Sequence, residues 1–223
     1  MSAKRSYGDG CGMAVALDLV GERWALIVVR ELLLGPKRFT DLRAGMPLVS
    51  PNVLAQRLRE LEDAGVVRRA KIGPPARAQV YELTEWGMRL EPVLLHLGSW
   101  ATGAPQATDA PYRSADSLML WQRAAFDGRV EPDLRAVYVM RIDDDGFVVR
   151  VGGGSLSVER GTVETADARL GANLQTMRSV LKGQYEFAAA VRDGALEFEG
   201  DEKAVLRLIR SLTPTRVPAT AMR

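Results

Sequence analysis

Apolar residues recur at helical spacing through most of the first hundred positions. Met13, Ala16, Leu17 and Val20 share one face, and Trp24, Ile27, Val28 and Leu32 take up the same spacing after Gly21, which predicts helices. Gly35-Pro36 ends this run. "RFTDLRAGMP" predicts a short helix with Thr40 as N-cap and Asp41 in its first turn, stopped by Pro47. Ser50-Pro51 then opens another helix, because a Ser side chain caps well and Pro suits the first helical position. Leu54, Leu58 and Leu61 form its apolar stripe and Gly65 closes it. After Gly65 the period shortens. "VVRRAKI" and "RAQVYEL" flank Gly73-Pro74-Pro75-Ala76 and predict a hairpin. Thr84 caps a long run whose apolar face is Leu90, Val93, Leu94, Leu97 and Trp100; Pro92 inside it predicts a kink or a break. This order of elements is a winged helix-turn-helix.

Residues 102–117, "TGAPQATDAPYRSADS", carry no apolar periodicity and read as a linker. Beyond them the pattern alternates between the two periods. "SLMLWQRAAFDGR" predicts an amphipathic helix. "RAVYVMRI" and "GFVVRVGGG" predict a hairpin around Asp143-Asp144-Asp145-Gly146, with "SLSVERGTV" as a third strand. "ANLQTMRSVLKG" predicts a helix ended by Gly183, and "FAAAVRDG", "ALEFEGD" and "EKAVLRLIRSL" predict helix, strand, helix. The expected class is α+β: a winged helix-turn-helix domain over 1–103, a linker over 104–116, a second α+β domain over 117–213, and a tail over 214–223.

Composition changes this picture in one respect. The 223 residues are 47% hydrophobic and 26% charged, with a net charge of only +2, as in an ordinary globular protein. The charge is nevertheless local: between Pro36 and Arg77 nine basic residues stand against four acids. In helical projection Asn52, Gln56, Arg59 and Asp63 fall opposite the leucines, with Arg57 on the flank. Asn and Gln pair with adenine edges and Arg with guanine. Ser50 sits at the open helix end, where free N–H groups favour phosphate. Arg69 and Lys71 share a face of the first wing strand, Arg68 takes the other, and Arg77 follows the corner. Together with Lys37 and Arg38 just upstream, these cations are candidates for positioning double-stranded DNA, while the helix specifies sequence.

Several kinds of chemistry find no support. The lone Cys11 excludes an internal disulfide framework and any multi-cysteine metal site. Gly152-Gly153-Gly154 lacks the Lys-Ser/Thr of a phosphate loop, and Asp143-Asp144-Asp145-Gly146 lacks the spacing of a calcium loop. His96 reads as a packed or capping residue. No catalytic constellation and no cofactor are expected. No stretch approaches the length of a membrane span and no signal peptide is read, so a cytoplasmic location is expected.

The stretch from Leu17 to Ala101 closely resembles the HxlR-type family of bacterial winged-helix transcription regulators. Gly21 with Trp24, Gly35 with Arg38-Phe39, Leu42, Leu54, Arg57-Leu58, Leu61, Gly65, Pro74-Pro75 with Arg77, Tyr81, Leu83-Thr84, Gly87 and Trp100 carry the likeness. The resemblance implies a homodimer built through the first and last helices, involving Met13, Leu17, Trp24, Leu94, Leu97 and Trp100, that reads two-fold related half-sites. Trp86 stands where a smaller apolar residue is usual, and Cys11 is followed by Gly12 where Cys-Pro is common. Some members sense oxidants through a cysteine near this position, so Cys11 is a candidate thiol sensor; a small buried hydrophobe is the other reading.

The second half, through Ala166-Asp167-Ala168, Leu174, Leu181, Gly183, Gly194, Leu196, Glu199-Gly200 and Leu206–Leu212, resembles sterol-carrier-protein-like domains. That likeness implies a sheet against helices, often around an apolar tunnel. Trp121, Phe126, Leu174, Met177 and Leu181 are then candidates for holding an apolar small-molecule effector; a closed core is the alternative. The expected function is a dimeric DNA-binding regulator with an effector domain. A lipid-binding or protein-interaction module whose winged helix reads no DNA is the alternative.

Overall fold

In the computed structural model residues 6–71, 73, 78–102 and 114–212 are described. They divide into two compact units, Met1–Leu94 and Leu95–Arg223.

The first unit opens with α1 (Gly12–Val20) and α2 (Ala25–Leu32). Trp24 turns the chain between them with a left-handed φ of 79°, rare for a bulky residue. α3 (Phe39–Gly45) begins earlier than the sequence suggests. Arg38, not Thr40, occupies the N-cap position, and the Asp41 carboxylate accepts from the Arg38 N–H at 3.1 Å. An acid at the third helical position can reach back in this way; a threonine already inside the turn cannot cap it. α4 (Pro51–Asp63) starts as expected, with Ser50 Oγ accepting from the Val53 N–H. It ends in a double closure: the Gly65 N–H donates to Glu62 and the Val66 N–H to Leu61, with Gly65 left-handed.

β1 (Val67–Lys71) and β2 (Gln79–Leu83) pair antiparallel from Val67 opposite Leu83 to Lys71 opposite Gln79. Lys37 and Tyr81 exchange both backbone hydrogen bonds and add a one-residue third strand at the root of this hairpin. The long run after Thr84 breaks rather than kinks. It forms α5 (Glu85–Met88) and α6 (Glu91–Thr102), with Pro92 in the first turn of α6, where its missing N–H costs nothing. Leu32, Leu42, Leu54, Leu58 and Leu61 are fully buried in the core of this unit.

In the second unit α7 (Ala115–Ala125) begins two residues before the expected domain start. β3 (Ala136–Ile142), β4 (Asp145–Gly152), β5 (Ser155–Arg160), β6 (Ala168–Ala172) and β7 (Glu197–Gly200) form one sheet in the order β5-β4-β3-β6-β7. Every neighbouring pair is antiparallel except β3 with β6. β6 was not among the expected strands. "ARLGA" is short and contains a glycine, and its parallel partner β3 is remote in sequence, so no hairpin signal marks it. α8 (Leu174–Leu181), α9 (Phe187–Arg192) and α10 (Glu202–Ser211) complete the unit. Tyr138 on β3 is fully buried and donates its hydroxyl to the Ala204 carbonyl of α10. Burial pushes this phenol far above its usual pKa.

Candidate nucleic-acid interface

α4 rests on α2 and β1 through its leucines. Its opposite side presents Asn52, Gln56 and Arg59, all exposed, with Asp63 exposed at the far end. The Gln56 amide donates to Glu60 one turn on at 3.0 Å. Both amides predicted to read bases therefore lie on the open face. Ser50 is exposed at the helix start, with its hydroxyl oxygen engaged as the cap.

The turn before α4 is set by two inward anchors, Met46 and Val49, both buried. Between them Pro47 and Leu48 point outward, and Leu48 is 69% exposed. Thr40 and Arg43 of α3, Leu48, and Ser50 and Pro51 line a shallow open groove of about 630 Å³. Sequence reasoning missed Leu48, because an isolated leucine next to Pro and Val reads as core.

Two predicted contacts are placed otherwise. Lys37 is buried, and its ammonium lies 2.8 Å from the fully buried Glu31 carboxylate, which Arg30 also engages. Arg57 is likewise buried; its guanidinium meets Glu60 one turn on and Glu22 from the α1–α2 corner. Neither offers its charge to a duplex in this conformation. The buried Glu31 carboxylate needs a paired cation and takes Lys37, while Arg57 is enclosed beside Glu60 of its own helix and Glu22. Arg38, Arg43, Arg59 and Lys71 are exposed. On the wing Arg68 pairs with Glu82 at 2.7 Å, and Arg69 reaches Glu62 while lying over the Tyr81 ring. Arg77 lies outside the described residues.

α1 exposes Met13 (73%), Val15 and Leu17; α6 exposes Val93, Leu97 and Trp100 (75%). Leu94 and Trp24 are half-buried, with Arg23 over the Trp24 ring. His96 is exposed on α6, which leaves the capping reading rather than the packed one. Cys11 is exposed and stands just ahead of α1. The backbone N–H of Met13, then that of Ala14, holds its thiol below the usual cysteine range.

In the second unit Met177 and Leu181 of α8 are closed into the core with Val180; Met177 has no exposed surface at all. Both are shut off from solvent in this conformation. Leu174, Trp121 and Phe126 are half-buried, with the Lys182 ammonium 5.3 Å from the centre of the Trp121 ring. Among the described residues no cluster of His, Cys, Asp and Glu is arranged to hold a metal ion, and no helix is long and apolar enough to cross a membrane.

Residues 19–108 match the family model for HxlR-like helix-turn-helix proteins, and residues 123–213 match that of the SCP-2 sterol transfer family. The uncharacterized HTH-type transcriptional regulator YdeP of Bacillus subtilis (strain 168) is 38% identical over 92 residues, 41% of this chain and 72% of that protein. YvaP, another uncharacterized HTH-type transcriptional regulator of the same organism, is 42% identical over 39% of this chain and 81% of its own length. Among solved structures, the reduced form of the transcriptional regulator YodB from B. subtilis is 34% identical over 44% of this chain and 95% of that chain, with a TM-score of 0.39. The chain belongs to the HxlR-like helix-turn-helix family of transcriptional regulators and carries an SCP-2-like domain later in its sequence.

Proposed function

We propose that this regulator acts as a homodimer that reads two-fold related DNA half-sites, and that its second unit takes up an apolar small molecule. The observation that carries the DNA reading is α4: a rod anchored by Leu54, Leu58 and Leu61 whose free side shows Asn52, Gln56 and Arg59. Those side chains match base edges in the major groove, and the exposed cations Arg38, Arg43 and Lys71 suit the phosphates on either side. Selection of bound fragments from random duplexes tests it. A recovered two-fold repeat is the expected result; recovery without sequence preference would leave α4 no reading role. The apolar side chains bared on α1 and on α6 support self-association, since exposed apolar surface of this kind marks interfaces.

The effector reading rests on the match to the SCP-2 family and on the apolar side chains Trp121, Phe126 and Leu174 that remain accessible. Met177 and Leu181 are buried, so a ligand that reaches them from solvent has to disturb the packing of α8. Fatty acids and sterol-like compounds are therefore expected to raise the melting temperature and to change amide exchange in 174–181. A flat response to the whole series would remove the effector reading.

A second reading, thiol sensing, is favoured by the exposure and lowered pKa of Cys11. Cys11→Ser is expected to keep basal DNA affinity and to lose any response to diamide; a variant that responds as before excludes it.

A further inference from the structure

We propose that Leu48, in the turn ahead of α4, is a specificity-determining residue that reads the C5 methyl group of a thymine; this rests on the DNA reading above. Turns are ordinarily built from Gly, Pro, Asn, Asp and Ser. Here the turn is Met46-Pro47-Leu48-Val49, and its two ends do the anchoring: Met46 and Val49 are buried while Leu48 stands 69% exposed. The fold thus holds a branched apolar side chain in solvent, two residues ahead of the Ser50 cap.

That position meets the base edges first. A recognition helix enters the major groove with its N-terminal residues against the bases. In the groove that Leu48 shares with Thr40, Arg43 and Ser50, Arg43 supplies a cation suited to phosphate, the Thr40 hydroxyl donates to Asp41 and Ser50 Oγ caps α4, and the apolar side chain serves none of that chemistry. On a major-groove edge the one apolar group is the thymine methyl. Leu48 stands four residues ahead of Asn52, where the exposed face of α4 begins, and Arg43, which lines the same groove, is exposed and positive. A DNA base edge therefore fits this surface better than an apolar protein partner does.

Deoxyuridine separates the methyl from everything else on thymine. The full chain is bound to its selected duplex and to copies in which each thymine in turn is replaced by deoxyuridine. The series is repeated with Leu48→Ala and Leu48→Met. At one thymine of each half-site, loss of the methyl is expected to weaken the wild-type protein about fourfold, the value of one buried methyl-sized group. Leu48→Ala is expected to bind both duplexes equally, and Leu48→Met to retain part of the discrimination. Identical responses of wild type and Leu48→Ala at every thymine would overturn the proposal while leaving DNA reading intact. So would a selected motif with no thymine at equivalent half-site positions, or a Leu48→Ala protein whose change is in sedimentation rather than in DNA affinity. Failure of the wild type to enrich any motif would instead overturn the DNA reading, and this proposal with it.

Discussion

Gln56 and Arg57 are neighbours in sequence and face opposite fates. Gln56 is exposed, so Gln56→Ala is expected to cost about 1–3 kcal/mol of specific binding and to relax preference at one base position, read by competition between cognate and scrambled duplexes. Arg57 is buried against Glu60 and Glu22. Arg57→Ala is therefore expected to lower folding stability by about 1–2 kcal/mol, measured by urea unfolding, with base preference unchanged. Cys11 supplies a second test at this scale. Backbone N–H groups favour its thiolate, so alkylation by iodoacetamide should rise with pH at a lower midpoint than for an unstructured cysteine. A midpoint at the ordinary thiol value would mean that the start of α1 does not act on it. None of these burials is visible in the sequence. Asn52 and Gln56 were legible because helical projection depends only on local spacing. The state of Lys37 was not, because it depends on the buried Glu31 that the fold brings beside it, and Arg57, though Glu60 lies at helical spacing, is buried by elements packed around α4.

Elements whose signals are local were legible as well: Ser50-Pro51 marks α4, Gly65 ends it, and the two wing strands follow at once. β6 escaped because a parallel strand is defined by a distant partner. Once it is placed, its glycine makes sense. Gly171 lies between Arg141 and Glu197 in the register of three adjacent strands, and those two side chains join across it. The junction after the wing is equally specific. Thr84 donates its hydroxyl to the Gly65 carbonyl at 2.7 Å and accepts from the Gly87 N–H. A Cβ on Gly87 would fall 2.1 Å from the Val66 carbonyl oxygen. Gly87→Ala is expected to destabilise the winged-helix unit by about 1–3 kcal/mol in thermal unfolding, because backbone has to move to admit it. α10 carries a pH-dependent tie. Hydrogen bonds from Arg207, then from Arg210, hold the Glu131 carboxylate below its usual range. The folded pKa is depressed, so the contribution is present above the ordinary glutamate value and is lost as pH falls through the lower folded one. Glu131→Gln should therefore lower the melting temperature near neutrality and make little difference in strong acid.

For the whole molecule, salt dependence counts the cations that remain available. Between Pro36 and Lys71, two cations are buried in ion pairs and Arg68 and Arg69 are held by Glu82 and Glu62. Arg38, Arg43, Arg59 and Lys71 remain exposed. If each neutralises one phosphate in both protomers, the slope of log affinity against log salt is expected to be on the order of −7. A slope near zero would exclude phosphate-anchored binding. Monomeric behaviour of Trp100→Glu in sedimentation would support pairing through α6, and an unaltered assembly would exclude that helix from it.

The Lys37–Tyr81 exchange has a final consequence. It fastens the base of the hairpin to the segment that leads into α3, and Thr84 locks the other side. If the unit reads DNA as proposed, a hairpin clamped at both edges leaves the adjustment to the double helix. Sites with pliable pyrimidine–purine steps flanking the bases that α4 is proposed to read should then outcompete stiff A-tracts carrying the same contacted bases.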